Sequence, residues 1–270
     1  MHINFIGFIG GGVMGEAILR GILSKGIASP KDIFISDISM QRCNLLEQKY
    51  GVSTTQNNLE AVSKADVIIL AIKPQMLTEV MSQLKGKLSS EQLVLSVIAG
   101  TTINTLTQKL GHELVVRIMP NTPAQIGEGM SLWTISKQVN KEQMEITRNI
   151  LNSLGKELYV SDEKYLDMAT AVSGSGPGYI LLIIESLIDA AVHIGFSRDI
   201  AKILVLQTIL GTVKLAQESD IHITELRNMV TSPGGTTAEG LLKMEEGGIR
   251  ALISNAIIAA FEKSKALGKD

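Results

Sequence analysis

Ile3-Asn4-Phe5-Ile6-Gly7-Phe8-Ile9-Gly10-Gly11-Gly12-Val13-Met14-Gly15 decides the fold. Its first seven residues are mostly apolar and read as a buried strand. They run straight into three glycines, after which Val13, Ala17, Leu19 and Leu23 recur at helical spacing. Glycines in the order Gly10-x-Gly12-x-x-Gly15 let a chain turn tightly off a strand, bring backbone against a pyrophosphate, and pack the following helix close to its sheet. The helix N-terminus adds free N–H groups and a partial positive charge that face the phosphates. Strand, glycine turn and helix therefore predict a dinucleotide site.

Working outward, residues 32–36, 66–71, 92–98 and 114–119 read as further strands, with helical patterns between them. Weaker strand patterns cover 129–135 and 157–160, separated by a helix over about 141–154. Such alternation predicts a parallel sheet covered on both faces, and the run Val67–Ile72 has the continuous apolarity of a strand buried on both sides. After Asp162 strands cease. Residues 177–194, 198–219, 224–230, 236–246 and 249–266 read as helices punctuated by Gly and Pro. The expected fold class is thus an α/β Rossmann-type dinucleotide-binding domain, 1–161, followed by an all-α domain, 162–270.

The helix from Pro177 is apolar almost all round, with Glu185, Asp189 and His193 as its one polar stripe. A helix with so little polar face must be covered on nearly every side, and some 110 residues can scarcely do that alone. This predicts a homodimer in which helices of two copies cover each other, so the second domain is a dimerisation domain. A ring of such dimers is left open.

Apolar residues make up 45% and charged residues 19%, which excludes a disordered chain. Lys+Arg 25 against Asp+Glu 27, with no block of like charge, excludes nucleic acid or anionic membrane held by bulk electrostatics. The apolar stretch 179–192 is short of the ~20 residues of a membrane span. No basic n-region precedes the first strand, so no signal peptide is expected. The lone Cys43 suits a reducing compartment, and a cytoplasmic protein is expected.

Asp37 ends the second strand 22 residues past Gly15. An acid there accepts the adenosine ribose hydroxyls and favours NAD over NADP; equally, Asp37 is placed to cap the next helix. Ser36 is within reach of a phosphate, and Arg42 lies one helical turn on. NADPH and NADH therefore both stand as cofactors. Residues just past the later strands, Ala71-Ile72-Lys73-Pro74, Ala99-Gly100 and Pro120-Asn121-Thr122-Pro123, fall where open α/β sheets bind ligands. Lys73 reads as a phosphate or substrate contact or as an exposed loop lysine.

Two Gly-rich segments lead into helices of the second domain: Ser173-Gly174-Ser175-Gly176-Pro177-Gly178-Tyr179 and Thr231-Ser232-Pro233-Gly234-Gly235-Thr236-Thr237-Ala238-Glu239. Thr236 and Glu239 have capping-box spacing, which starts a helix there. Each segment reads as a turn or as a seat for a small carboxylate. His2, His112, His193 and His222 are scattered, so no metal site is expected. No Gly-x-Ser-x-Gly elbow occurs. Hydride transfer to an activated C=N needs little acid–base machinery, and a hydroxyl such as Thr237 can hydrogen-bond the reacting nitrogen.

These residues together resemble the pyrroline-5-carboxylate reductase family. The resemblance runs through the whole chain: Gly7-Phe8-Ile9-Gly10-Gly11-Gly12, Ala71-Ile72-Lys73-Pro74-Gln75, Ala99-Gly100, Arg117-Ile118-Met119-Pro120-Asn121-Thr122-Pro123, Ser173-Gly174-Ser175-Gly176-Pro177, and above all Val230-Thr231-Ser232-Pro233-Gly234-Gly235-Thr236-Thr237. It implies NAD(P)H-dependent reduction of 1-pyrroline-5-carboxylate to L-proline, at a site completed by a dimer. It implies cofactor contacts at Ile9, Gly10, Gly11, Gly12, Val13, Met14, Ser36, Asn58, Ala71, Ile72, Lys73, Pro74, Ala99 and Gly100, beside Gly15 and Asp37 already named. It places Val230, Ser232, Gly234, Gly235, Thr236 and Thr237 at the substrate, with Thr237 catalytic beside the nitrogen. The rival enzymatic reading, a β-hydroxyacid dehydrogenase, requires a lysine in the Gly-x-Gly-x-x-x-Lys segment. Ile180 follows Gly174-Ser175-Gly176-Pro177-Gly178-Tyr179 instead. A non-catalytic nucleotide-binding relative is the other alternative, against which the intact 232–237 segment argues.

Overall fold

Every residue of the first strand, β1 (Ile6–Ile9), is buried, as its apolar run requires. The computed structural model describes residues 4–267; Met1, His2 and Ile3, where the expected strand opens, lie outside the described residues. The chain then alternates: α1 (Val13–Ser24), β2 (Ile33–Ser36), α2 (Met40–Tyr50), β3 (Ser53–Thr55), α3 (Asn58–Val62), β4 (Val67–Leu70), α4 (Leu77–Leu84), β5 (Leu93–Ser96), α5 (Ile103–Leu110) and β6 (Val115–Met119). After them come β7 (Gly129–Ile135), α6 (Lys141–Asn152) and β8 (Gly155–Tyr159). The strands form one sheet in the order β3-β2-β1-β4-β5-β6-β7-β8, parallel except for the β6–β7 pair.

That order runs outward from β1 in both directions, the doubly wound arrangement with its switch point between β1 and β4. Register brings three carboxyl ends level there: Ile9 pairs with Ser36 on one side and with Leu70 on the other. Gly10, Asp37 and Ala71 consequently emerge together at one edge of the sheet. Two apolar cores flank the sheet. Phe8, Ile33, Ile69 and Trp133 belong to one, and Ile9, Ile68, Leu70 and Val94 to the other. Adjacent residues Ile69 and Leu70 thus point to opposite cores, the alternation of a central strand.

β3 is absent from the sequence reading because Ser53-Thr54-Thr55 offers three polar residues and no apolar pattern. Glu157 is not the start of β8, which opens at Gly155. A further helix, α7 (Lys164–Ala169), continues through a π-helical turn, Thr170–Gly174, toward α8 (Gly176–His193). The remaining helices are α9 (Arg198–Glu218), α10 (Ile223–Met229), α11 (Thr236–Glu246) and α12 (Ile249–Leu267).

Two compact units result. The first ends at Ser175 and regains the chain from Ala260; the second is Gly176–Ala259. Strands cease near Ser161-Asp162, where the domain boundary is expected, yet α7 still belongs to the sheet unit. Buried Arg117 of β6 explains this: Nη1 meets Glu163 at 2.8 Å and Nη2 meets Asp167 of α7 at 2.8 Å.

In the second unit α8 packs along α9, and Ala201 is the one buried residue of that unit in the single chain. Leu181, Leu182, Ile203 and Leu210 are all at least half exposed. The helical run Lys164–His193 is long and apolar enough to cross a membrane by length and composition, longer than the apolar stretch 179–192 because α7 and the π turn extend it.

Candidate active site

Each fingerprint glycine meets a different constraint. Gly10 has φ +96°, and a Cβ there would lie 2.5 Å from the Ala71 carbonyl oxygen. A Cβ on Gly15 would lie 2.3 Å from the Gly10 carbonyl oxygen, so the helix can approach the strand only without one. Gly12 differs: a Cβ would meet nothing within 4 Å. Gly12 is also the N-cap of α1 with no side-chain hydrogen bond to the first turn. The fold demands the outer two glycines. The middle one keeps open a surface that leads onto uncapped amides, and a pyrophosphate fits such a cradle. Gly11, Val13 and Met14 complete this turn around it, following Ile9.

Around the end of β2, Asp37 does not cap α2. Ser39 does, accepting the Arg42 amide. Asp37 instead takes the Gly11 N–H on Oδ2 at 2.8 Å and the Ser39 N–H on Oδ1 at 2.9 Å, fixing its carboxylate beside the glycine turn. Ser36 is fully buried, and its hydroxyl donates to Asn58 Oδ1 at 2.5 Å; Asn58 in turn donates to Gln83 at 2.7 Å. Ser36 and Asn58 are therefore joined to each other at this edge.

The sequence reading missed the role of Glu16. It pairs with Arg42, accepts from Lys49 at 2.8 Å and from the Tyr50 hydroxyl at 2.7 Å. Burial raises its pKa, but these three hydrogen bonds outweigh that and hold it down at about 2. Arg42 also gives its Nε to the Gly11 carbonyl at 2.5 Å. An acid at position four of the first helical turn is the only sequence signal for this cluster.

Beyond β4 and β5, Ala71 and Ile72 are half-buried, and Lys73 and Pro74 are exposed. The Lys73 side chain has no partner among the described residues. Ala99 and Gly100 are half-buried, with Gly100 at φ +72°. Past β6, Asn121 donates to the Ser173 carbonyl at 3.1 Å and accepts the Met130 amide at 2.9 Å.

The two Gly-rich segments part company. Residues 173–176 are not a loop. Ser173 and Gly174 end the π turn, Ser175 follows it and Gly176 opens α8; the Ser175 amide bonds the Thr170 carbonyl at 2.8 Å and the Ser173 carbonyl accepts from Asn121. The Ser173 hydroxyl donates to the Ala169 carbonyl at 3.0 Å, so this residue is engaged within its own turn. The segment ahead of α11 is a true turn: Gly234 has φ +68°, and Gly235 N–H bonds the Ser232 carbonyl at 3.0 Å. No capping box forms at Thr236. Gly235 is the N-cap, without side-chain help, because Thr236 already lies inside the helix. A Cβ on Gly235 would lie 2.4 Å from Ser232 Oγ, so any larger residue there displaces the Ser232 side chain. The first-turn amides of α11 are left uncapped by any side chain. Val230, Ser232, Gly234 and Thr236 are exposed, Gly235 and Thr237 half-buried, and the Thr237 hydroxyl has no partner among the described residues.

Comparison with known proteins gives the following. Residues 163–267 match the family model described as pyrroline-5-carboxylate reductase dimerisation, and residues 5–100 match that of NADP oxidoreductase, coenzyme F420-dependent. The chain is 41% identical to the pyrroline-5-carboxylate reductase of Methanosarcina acetivorans over 270 residues, 100% of both chains. The solved pyrroline-5-carboxylate reductase of Coxiella burnetii is similar with a TM-score of 0.91 at 36% identity, covering 100% of each chain. That of Plasmodium falciparum, solved with NADP bound, has a TM-score of 0.91 at 38% identity, covering 99% of each.

Proposed function

The chain belongs to the pyrroline-5-carboxylate reductase family, and from that premise we propose how its residues divide the work. It catalyses the NAD(P)H-dependent reduction of the C=N bond of 1-pyrroline-5-carboxylate to L-proline, the last step of proline biosynthesis. It self-associates through its helical region. When bound, the reduced nicotinamide supplies the hydride that the imine carbon accepts.

The backbone from Ile9 to Gly15 holds the pyrophosphate, with Gly12 as the point of closest approach. Ser36, Asp37 and Asn58 flank the adenosine, while Ala71, Ile72, Lys73, Pro74, Ala99 and Gly100 line the rest of the cofactor. In the helical unit, the uncapped first-turn amides of α11, at Thr236 and Thr237, grip the substrate carboxylate, beside Val230, Ser232, Gly234 and Gly235. The free hydroxyl of Thr237 hydrogen-bonds the ring nitrogen and orients it. An alcohol is too weak an acid to protonate the imine, so the imine arrives already protonated.

A single observation carries this division: Gly12 and Gly235 are both helix N-caps without side-chain caps, one on each unit. We further propose that the self-association is a homodimer in which a second copy covers α8 and α9, and that the protein works in the cytoplasm. A spectrophotometric assay tests the function. Purified protein with pyrroline-5-carboxylate should consume NADH or NADPH and yield proline, while 3-hydroxy acids with the oxidised cofactor should give no reaction. The reverse pattern would overturn it.

A further inference from the structure

We infer that Asp37 and Glu16 together select NADH over NADPH, Asp37 by facing the adenosine ribose and Glu16 by occupying Arg42. This rests on the cofactor placement proposed above. The two nucleotides differ by one phosphate on that ribose, so discrimination belongs to the groups at the end of β2. Asp37 is held by the amides of Gly11 and Ser39 at 2.8 and 2.9 Å, one on each oxygen. Each carboxylate oxygen keeps lone-pair capacity for a ribose hydroxyl. A 2′-phosphate would instead set its negative charge against a carboxylate that cannot swing away.

A site that accepts the phosphate needs a free cation to offset this. Arg42 is the guanidinium nearest the turn, and it is already committed: Nε to the Gly11 carbonyl, Nη2 to Glu16. Glu16 is itself anchored by Lys49 and Tyr50, which hold the pair in place. It stays ionised throughout the working pH range, since its pKa lies at about 2. Asp37 and Glu16 thus balance Arg42 and Lys49, leaving no surplus positive charge among these four groups. Arg20 lines the same polar cleft of about 300 Å³. It sits eight residues along α1 from Gly12, roughly 12 Å down the axis.

Binding without imino acid present separates this inference from the catalytic one. Titrating the whole protein with NADH and with NADPH, followed by nicotinamide fluorescence, should give a Kd at least ~10-fold lower for NADH, the scale of one fixed charge nearby. Asp37→Ser should reduce that ratio by ~10-fold or more. Glu16→Gln should tighten NADPH about 3-fold or more while leaving NADH unchanged, a split that a merely structural role would not produce. Asp37→Asn, which retains the side-chain shape, gives the same readout should the serine variant be unstable. Tighter NADPH than NADH binding in the wild type overturns the inference, as does a Glu16→Gln variant that moves both constants alike. Absence of pyrroline-5-carboxylate turnover would instead sink the assigned reaction and leave these constants standing.

Discussion

Gly12 and Gly15 look alike in the fingerprint and differ in what they protect. Gly12 has φ −65° with open space where a Cβ would go, so Gly12→Ala and Gly12→Asp should fold with unchanged thermal midpoints. Both should lose cofactor affinity, Asp beyond detection, because the added atoms and charge stand where the pyrophosphate approaches; wild-type affinity by fluorescence titration would remove Gly12 from the site. Gly15→Ala should cost about 1–3 kcal/mol of stability through collision with the Gly10 carbonyl, read from urea unfolding. Thr237→Ala should lower kcat roughly 10²-fold, the loss of one preorganised hydrogen-bond group, with cofactor affinity intact. Unchanged turnover would take Thr237 out of the reaction. Glu16 makes an acid-stability prediction. Its folded pKa of about 2 lies below the ordinary 4.5, so its contribution is full above about 4.5 and disappears as pH falls toward 2. Wild type should be more stable than Glu16→Gln at pH 7, and their urea midpoints should draw together below pH 4.5 and meet only at about pH 2 or lower.

At the scale of elements, legibility followed apolar pattern and turn chemistry. β1, β4, β5 and β6 are strands buried on both faces and were readable as such; β7, with Trp133 inside and its ends marked by Gly129 and Ser136, matches its expected span of 129–135. β3 carries no apolar signal, since its stability comes from parallel pairing to β2 at the sheet edge. The glycines around the start of α8 read as punctuation, whereas the structure places Gly174 in a π turn and Gly176 and Gly178 in α8 itself. There Gly174 admits Met119, whose Cε would lie 2.6 Å from an added Cβ. Tertiary packing overrode the turn signal. The candidate site was legible where glycine geometry or a motif marks it, at Gly10–Gly15 and Ser232–Thr237. Asp37 was ambiguous because capping and ligand contact demand the same side chain in the same place. The Glu16–Arg42 contact was invisible because its partners are 26 residues apart and brought together only by α1 and α2 packing. Arg117 illustrates the same limit: a basic residue inside a buried strand finds one acid just ahead of α7 and one within it, and Glu163 also takes the Ile103 amide that opens α5. Arg117→Met should therefore cost about 1–3 kcal/mol, the scale of leaving two half-buried carboxylates without their hydrogen-bond donor, and loosen α7 first. Hydrogen exchange confined to α7 and the start of α5 would locate that loss; unaltered exchange there would refute the clamp.

For the molecule as a whole, the exposed apolar faces of α8 and α9 mean that one chain alone is an incomplete fold. A self-associating protein unfolds with a midpoint that depends on concentration. Thermal midpoints should rise across a hundredfold increase in protein concentration, and Leu181→Glu with Leu210→Glu should abolish the rise and shift the hydrodynamic size toward a monomer. A midpoint independent of concentration at every accessible dilution would contradict the covered-helix reading. The open space at Gly12 has a consequence in the cell. Chaperones and proteases judge a chain by its packing, and a Cβ at that position meets no packed atom. A variant there would escape clearance, accumulate to normal abundance and, wherever it is made alongside the unchanged chain, join it in mixed assemblies.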